Sequence, residues 1–319
     1  MITGSQGMLG QYLVEVFESA GHKVISATRK DLDITDIESV LSFVQDKKPE
    51  VIINAAAYNL VDKVEEPEIF ELAMKINAKG PENLAKAAQI VHARFVHFST
   101  DYVFDGEKGD YYQEDDTPNP ISKYGETKLE GERLALQACD KTFICRVVKL
   151  FGNQATGESG KEGFIDIMLR LNRDLPDLKI ADDEYGLPTY ALDAARAVLE
   201  LMEKDYCPGI YHLVNEGEPV SVYGFAKEVF EAMGITENYR PCPRSDFPRL
   251  AKCPHYSPLA NKEGLGVVAY HAIPAPRSPL LPKEGWGGWL PIKFYNLNAQ
   301  NPRYSAELSG VQGLGDGRG

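Results

Sequence analysis

Short apolar runs alternate along this chain with longer stretches whose apolar residues recur every three or four positions. The runs at 51–54, 95–98, 142–147 and 210–214 read as buried strands, and 23–28 as a further one. Leu9, Leu13, Val16, Phe17 and Ala20 follow at helical spacing, as do the stretches 36–47, 164–171, 191–204 and 222–233. Two more helical stretches, separated near Gly80-Pro81, lead to the strand that opens at Phe95. This alternation predicts an α/β fold in which right-handed crossovers lay parallel strands side by side. Open parallel sheets bind ligands outside the C-terminal ends of their strands, so the residues just beyond each run are where chemistry is expected.

The run 95–98 ends in Ser99-Thr100-Asp101, three oxygen-bearing side chains at such an edge. A helix beyond the next Pro-containing loop carries Tyr124 and Lys128, four apart and therefore on one face. A Tyr with a pKa of roughly 10 releases its proton reluctantly at neutral pH, and a cation one turn away favours the phenolate. Thr100 could then share a carbonyl oxygen with Tyr124, offering two donors where negative charge develops during reduction of a ketone. Tyr-x-x-x-Lys alone is more often a solvated pair on a helix face. The strand end and the N-terminal loop give it weight.

That loop, Gly4-Ser5-Gln6-Gly7-Met8-Leu9-Gly10, stands between a first strand and the first helix. Glycines there let backbone approach a pyrophosphate, which a helix N-terminus stabilises, although the spacing differs by one residue from Gly-x-Gly-x-x-Gly. Without a ligand it is simply a glycine turn. Only Met1 and Ile2 precede Thr3-Gly4, where the loop opens, so a short first strand is expected, as a misplaced start would leave. After the second strand, Thr28-Arg29-Lys30 precedes Asp31-Leu32-Asp33. A cation at this point accommodates a 2′-phosphate, so NADPH is expected with NADH tolerated, unless Arg29 and Lys30 are a solvated pair. Ala55-Ala56-Ala57-Tyr58-Asn59 ends the third strand, and its small residues permit close packing on a flat ligand.

The 319 residues suffice for one large domain or two modest ones, and a net charge of -13 disfavours nucleic acid or an anionic membrane as partner. Five cysteines without Cys-x-x-Cys spacing suggest neither disulfides nor zinc, and Cys145 belongs to an apolar run. With no signal peptide and no long apolar stretch, a cytoplasmic setting is the plain reading. The composition of 152–161 marks a mobile loop. Ser257-Pro258-Leu259 with Lys262-Glu263-Gly264 recurs as Ser278-Pro279-Leu280 with Lys283-Glu284-Gly285. Residues 263–319 are therefore read as a poorly ordered extension, the product of a translated repeat or a frameshift.

The stretches TGSQGMLG, DLDITD, VIINAAAYNLVDKVE, INAKGPENLA, HFSTDYVFDG, KYGETKLEGE, GLPTYALDAA, GIYHLVNEG and FPRLAKCPHYS resemble the dTDP-4-dehydrorhamnose reductase family of the extended short-chain dehydrogenase/reductase superfamily. The resemblance implies a Rossmann-type doubly wound parallel sheet with a smaller C-terminal substrate-binding lobe. Residues 1–152 would bind NAD(P), 153–262 would mainly form the lobe, and segments near 186–215 would return to the sheet. It implies that Thr100, Tyr124 and Lys128 are catalytic. Gly7, Met8, Leu9, Asp33, Ile34, Ala57 and Tyr58 match cofactor contacts, to which Gly4, Arg29 and Ala56 are added from their positions, along with Tyr124 and Lys128 themselves. Asn59, Thr100, Asp101, Tyr124 and Lys149 would face the sugar nucleotide. The implied reaction is hydride transfer to C4 of dTDP-4-dehydro-L-rhamnose, giving dTDP-L-rhamnose for cell-surface polysaccharide. Mg2+ and a homodimer are left open.

The chain departs from that pattern in three places. Lys149 stands where the family commonly has a substrate-touching Trp, Asn59 where it commonly has Thr, and its closing helix is missing after Asn261. Lys149 leaves open another NAD(P)-dependent nucleotide-sugar reductase or epimerase. A non-catalytic NADP-binding regulatory subunit of the methionine adenosyltransferase type is the alternative from another class.

Overall fold

The order of strands in the main sheet carries the site. In the computed structural model, which describes residues 1–157 and 162–260, the first half of the chain runs β1 (Ile2–Thr3), α1 (Met8–Ser19), β2 (Ser26–Ala27), α2 (Ile37–Lys47), β3 (Val51–Asn54), α3 (Pro67–Met74), α4 (Gly80–Ile90), β4 (Arg94–Thr100), α5 (Lys123–Ala138) and β5 (Thr142–Val147). It continues through β6 (Leu150–Phe151), α6 (Phe164–Asp174), β7 (Leu178–Ala181), β8 (Tyr185–Gly186), β9 (Thr189–Tyr190), α7 (Ala191–Glu203), β10 (Gly209–His212), β11 (Val220–Ser221), α8 (Val222–Ala232) and β12 (Tyr239–Cys242). Six strands form one sheet in the order β10-β5-β4-β3-β1-β2, and every neighbouring pair is parallel.

Alternation along the strands assigns the two faces. Ile53, Val96, Phe143 and Cys145 pack with Leu13 and Phe17 of α1 and Val198 and Leu201 of α7. Ile52, Phe95 and Ile144, one position out of step, pack with Val40 and Val44 of α2, Leu84 of α4 and Ala135 of α5. Both faces are therefore covered, which is why these strands read as continuous apolar runs. Successive strands are laid on opposite sides of β1, so the order reverses between β1 and β3. There the register sets Thr3 beside both Ala27 and Asn54, and Asn54 beside His97. The residues that follow β1, β2, β3 and β4 thus emerge at one edge.

Two departures from the sequence-based bounds have a clear physical reason. The strand expected over 23–28 is only Ser26–Ala27, because β1 offers just Ile2 and Thr3 for pairing. The helices around Gly80-Pro81 are not separated: a π-helical turn, Lys75–Lys79, joins α3 to α4. Pro81 falls in the first turn of α4, where its missing N–H has no partner to lose.

The second half adds smaller pieces. β7 pairs with β12 and β8 with β11, and Leu178, Ile180, Ala226 and Phe230 form a separate apolar cluster under them. The start of the loop expected to be mobile is docked on the glycine loop through Thr156 N–H to Gln6 O at 3.0 Å. Its residues 158–161, like the extension 263–319, lie outside the described residues. All five cysteines are free. Among the described residues no helix is long and apolar enough to cross a membrane.

Candidate active site

The glycine loop is built to let something close. Gly4 has φ 65°, and a Cβ on it would lie 2.7 Å from Ala56 N. A Cβ on Gly10 would lie 2.1 Å from Gly4 O, so the first turn of α1 is pressed onto the loop. Gly7 caps α1 without any side-chain hydrogen bond, which leaves the N–H groups of Met8 and Leu9 directed outward from a positive dipole end. The Leu9 side chain is in the core, so any contact it makes with a ligand is through its backbone. This chemistry fits the diphosphate of a dinucleotide.

Beside the loop, Arg29 is exposed at the end of β2 and lowers Asp33 electrostatically. Asp33 itself is held below the usual carboxylate range mainly by hydrogen bonds from the Thr35 N–H and hydroxyl. Ile34 is buried against Gly80, where an added Cβ would come within 2.6 Å of Ile34 Cδ1. Ala56 is half-buried, Ala57 exposed, Tyr58 half-buried and Asn59 exposed along the segment that leaves β3. Asn77, fully buried in the π-helical turn, fixes this segment: its Oδ1 accepts the Tyr58 N–H at 2.8 Å and its Nδ2 donates to Tyr58 O at 2.9 Å.

The catalytic candidates meet at the ends of β4 and α5. Ser122 caps α5 by accepting the Gly125 N–H at 3.1 Å, and a Cβ on Gly125 would lie 2.2 Å from Tyr102 O. The first turn of α5 is thereby locked against the segment after β4. Tyr124 lies in that turn, buried, edge-on to Tyr102 with ring centroids 5.5 Å apart. Burial pushes its phenol above the ordinary range, Asp101 adds to the rise, and the Thr100 hydroxyl opposes it. The expected lowering by Lys128 is not what this site shows, because the ammonium is turned to other partners. Lys128 Nζ donates to Phe98 O at 2.6 Å and lies 3.3 Å from His97 Nε2. Burial lowers Lys128 to about 8, against the pull of Glu132.

The Thr100 hydroxyl donates to Asp101 Oδ1 at 3.0 Å. Asp101 Oδ2 also accepts from Ser257 at 2.6 Å, and burial raises its pKa despite these bonds and the nearby Lys149. Ser257 belongs to the last described segment, which crosses the site. In that segment Cys253 Sγ accepts from Tyr102 at 3.2 Å, and Arg249 pairs with Asp62 at 3.2 Å. Lys149, with φ 43°, lies over Gly186 and reaches Glu184 at 3.4 Å. Its charge lowers Asp101 electrostatically.

Thr100, Asp101, Tyr124, Lys128 and Lys149 are brought together, and the cofactor candidates line the adjoining edge. Asn77, His97 and Ser257 were not singled out from the sequence. An Asn within a helical stretch and a His within an apolar run were usable signals, since each is a polar group that must find a buried partner. Among the described residues no group of three or more His, Cys, Asp or Glu could hold a metal ion.

The chain matches the RmlD substrate binding domain over residues 1–272. It is 38% identical to a dTDP-4-dehydrorhamnose reductase of Mycolicibacterium smegmatis over 264 residues, 82% of this chain and 78% of that protein. It is 42% identical to the crystal structure of a dTDP-4-dehydrorhamnose reductase from Clostridium acetobutylicum, with a TM-score of 0.76 and coverage of 82% and 89%. A Bacillus anthracis dTDP-4-dehydrorhamnose reductase in complex with NADP is 34% identical, also with a TM-score of 0.76 and coverage of 82% and 89%.

Proposed function

The chain belongs to the RmlD substrate binding domain family and has dTDP-4-dehydrorhamnose reductases among its relatives, and from that premise we infer that it reduces the C4 keto group of dTDP-4-dehydro-L-rhamnose with NADPH. The observation that carries the reading is Tyr124 in the first turn of α5, beside Thr100, on the sheet edge that also bears the uncapped glycine loop. NADPH supplies the hydride. Gly4, Gly7 and the first N–H groups of α1 would hold its diphosphate, with Arg29 at the 2′-phosphate and Ala56, Ala57 and Tyr58 along the nicotinamide side.

Tyr124 is the proton donor. Its raised pKa keeps it protonated at neutral pH, and it donates to the carbonyl oxygen as negative charge develops there. Lys128 follows one turn later on the same helix, anchored on Phe98 O. Asp101, with Ser257 on its far oxygen, orients the Thr100 hydroxyl within the pocket that receives the sugar. Lys149 and Asn59 complete the substrate side. The test is NADPH oxidation with dTDP-4-dehydro-L-rhamnose generated in place by the preceding enzymes. Oxidation that requires the sugar nucleotide, and is lost in Tyr124→Phe, supports the reading. Oxidation that persists undiminished in Tyr124→Phe refutes the role of Tyr124.

A second reading has its own support. A dTDP-4-keto-6-deoxy-D-glucose reductase of Streptomyces niveus is 33% identical over 263 residues, 82% of this chain, and Lys149 is a departure on the substrate side. A panel of 4-keto sugar nucleotides distinguishes the two by kcat/KM.

A further inference from the structure

A chain of buried polar groups runs away from the active site behind Lys128. His97 and Asn54 are each 0% exposed and Thr3 is 2% exposed. Asn54 Oδ1 accepts the Ala56 backbone N–H at 3.2 Å and the Thr3 hydroxyl at 2.7 Å. The backbone N–H has no alternative role, so it fixes the amide with its oxygen toward Ala56. The NH2 is therefore the group that meets His97 Nδ1 at 3.0 Å. A neutral imidazole that accepts at Nδ1 carries its proton on Nε2. That N–H then points at Lys128 Nζ, 3.3 Å away. An ammonium offers only hydrogens, and so donor faces donor. The conflict ends when Lys128 becomes an amine and accepts from Nε2–H.

On the reading of the active site given above, we propose that His97, held in one tautomer by Asn54 and Ala56, is a positioning residue that makes Lys128 a proton-exchanging group rather than a fixed cation. A neutral acceptor in its place would favour the ammonium, against which burial alone would then act. The other groups around Lys128 act differently. Tyr124 and Glu132 share its helix, and Glu132 favours the charged form while paired with Arg146 of β5 at 2.7 Å. The π-helical turn and α4 bring Lys79 and Glu82, which pair with each other near the surface at 2.8 Å. Glu65, from the turn before α3, is spent on the Lys123 N–H at 2.9 Å. Burial and Lys128 together hold His97 neutral, so its own protonation does not compete.

The first test needs no substrate and no variant. In the free protein labelled with 15N-histidine, His97 should show a pyrrole-type Nε2 and a pyridine-type Nδ1, and both should shift as Lys128 titrates. A pyrrole-type Nδ1 across the whole pH range overturns the proposal, because the imidazole would then simply accept from the ammonium. The second test is the pH profile of NADPH oxidation in His97→Gln, whose amide oxygen can accept from Lys128. The basic limb should move up by about one pH unit, the size expected when a donor facing a cation is replaced by an acceptor. A loss of rate with the limb unmoved would make His97 merely structural and overturn the proposal. A wild type without turnover would count against the enzymatic reading alone, with the tautomer still decided by the labelled spectrum.

Discussion

Replacing Lys128 by Met should lose activity and change the pH dependence of stability in a calculable way. Lys128 is 2% exposed, and burial lowers it from 10.5 to about 8. Between those values the unfolded chain holds a proton that the folded chain has released, so stability rises with pH across this window. Below pH 8 both states are protonated and the penalty for burying the ammonium is present in full. From pH 7 to pH 10 the wild type should gain about 2–3 kcal/mol relative to Lys128→Met, which corresponds to about 5–10 °C in Tm. The packing change from Lys to Met does not vary with pH, so it drops out of the comparison. The assay is thermal unfolding of both proteins in matched buffers between pH 6 and 10. Two curves that run parallel would mean that Lys128 is not depressed, and a wild type that loses ground as pH rises would mean that its charge is stabilised in the fold.

Tyr124→Phe should lower kcat by about a hundredfold or more while NADPH binding, measured by fluorescence titration, stays near wild type, because only the proton donor is removed. Arg29→Asp should move the ratio of kcat/KM for NADPH over NADH toward NADH, and an unchanged ratio would mean that Arg29 does not reach the 2′-phosphate. Asn77→Ala should cost about 1–3 kcal/mol in a denaturant titration, since it removes the fully buried amide that pairs with the half-buried Tyr58 N–H and carbonyl. That variant should also raise KM for NADPH by loosening the Ala57-Tyr58 segment, and an unaltered KM would confine Asn77 to stability.

The sheet and the meeting of Thr100, Tyr124 and Lys128 at its edge were legible because both are written in local patterns. A parallel strand covered on both faces has to be apolar throughout, and parallel strands end at a common edge, so Thr100 could be placed at that edge from the run before it. Tyr124 and Lys128 share a face by helical spacing alone. Their partners were not legible, because they come from far along the chain or hide within apolar runs. Ser257 reaches Asp101 across 156 positions, and His97 is one polar ring in a run read only for burial. The electrostatics of Tyr124 were misjudged for the same reason. Spacing shows that Lys128 is one turn away, but only the packed structure shows its ammonium spent on Phe98 O and the phenol buried beside Asp101. A raised phenol is no handicap in the reducing direction, since the donor must begin protonated and its partner is an alkoxide far more basic than any phenolate. The difficulty lies after the transfer, when a buried phenolate must be neutralised. A Lys128 lowered to about 8 is then better matched to the task than an ordinary lysine, because it can give up a proton as well as hold one.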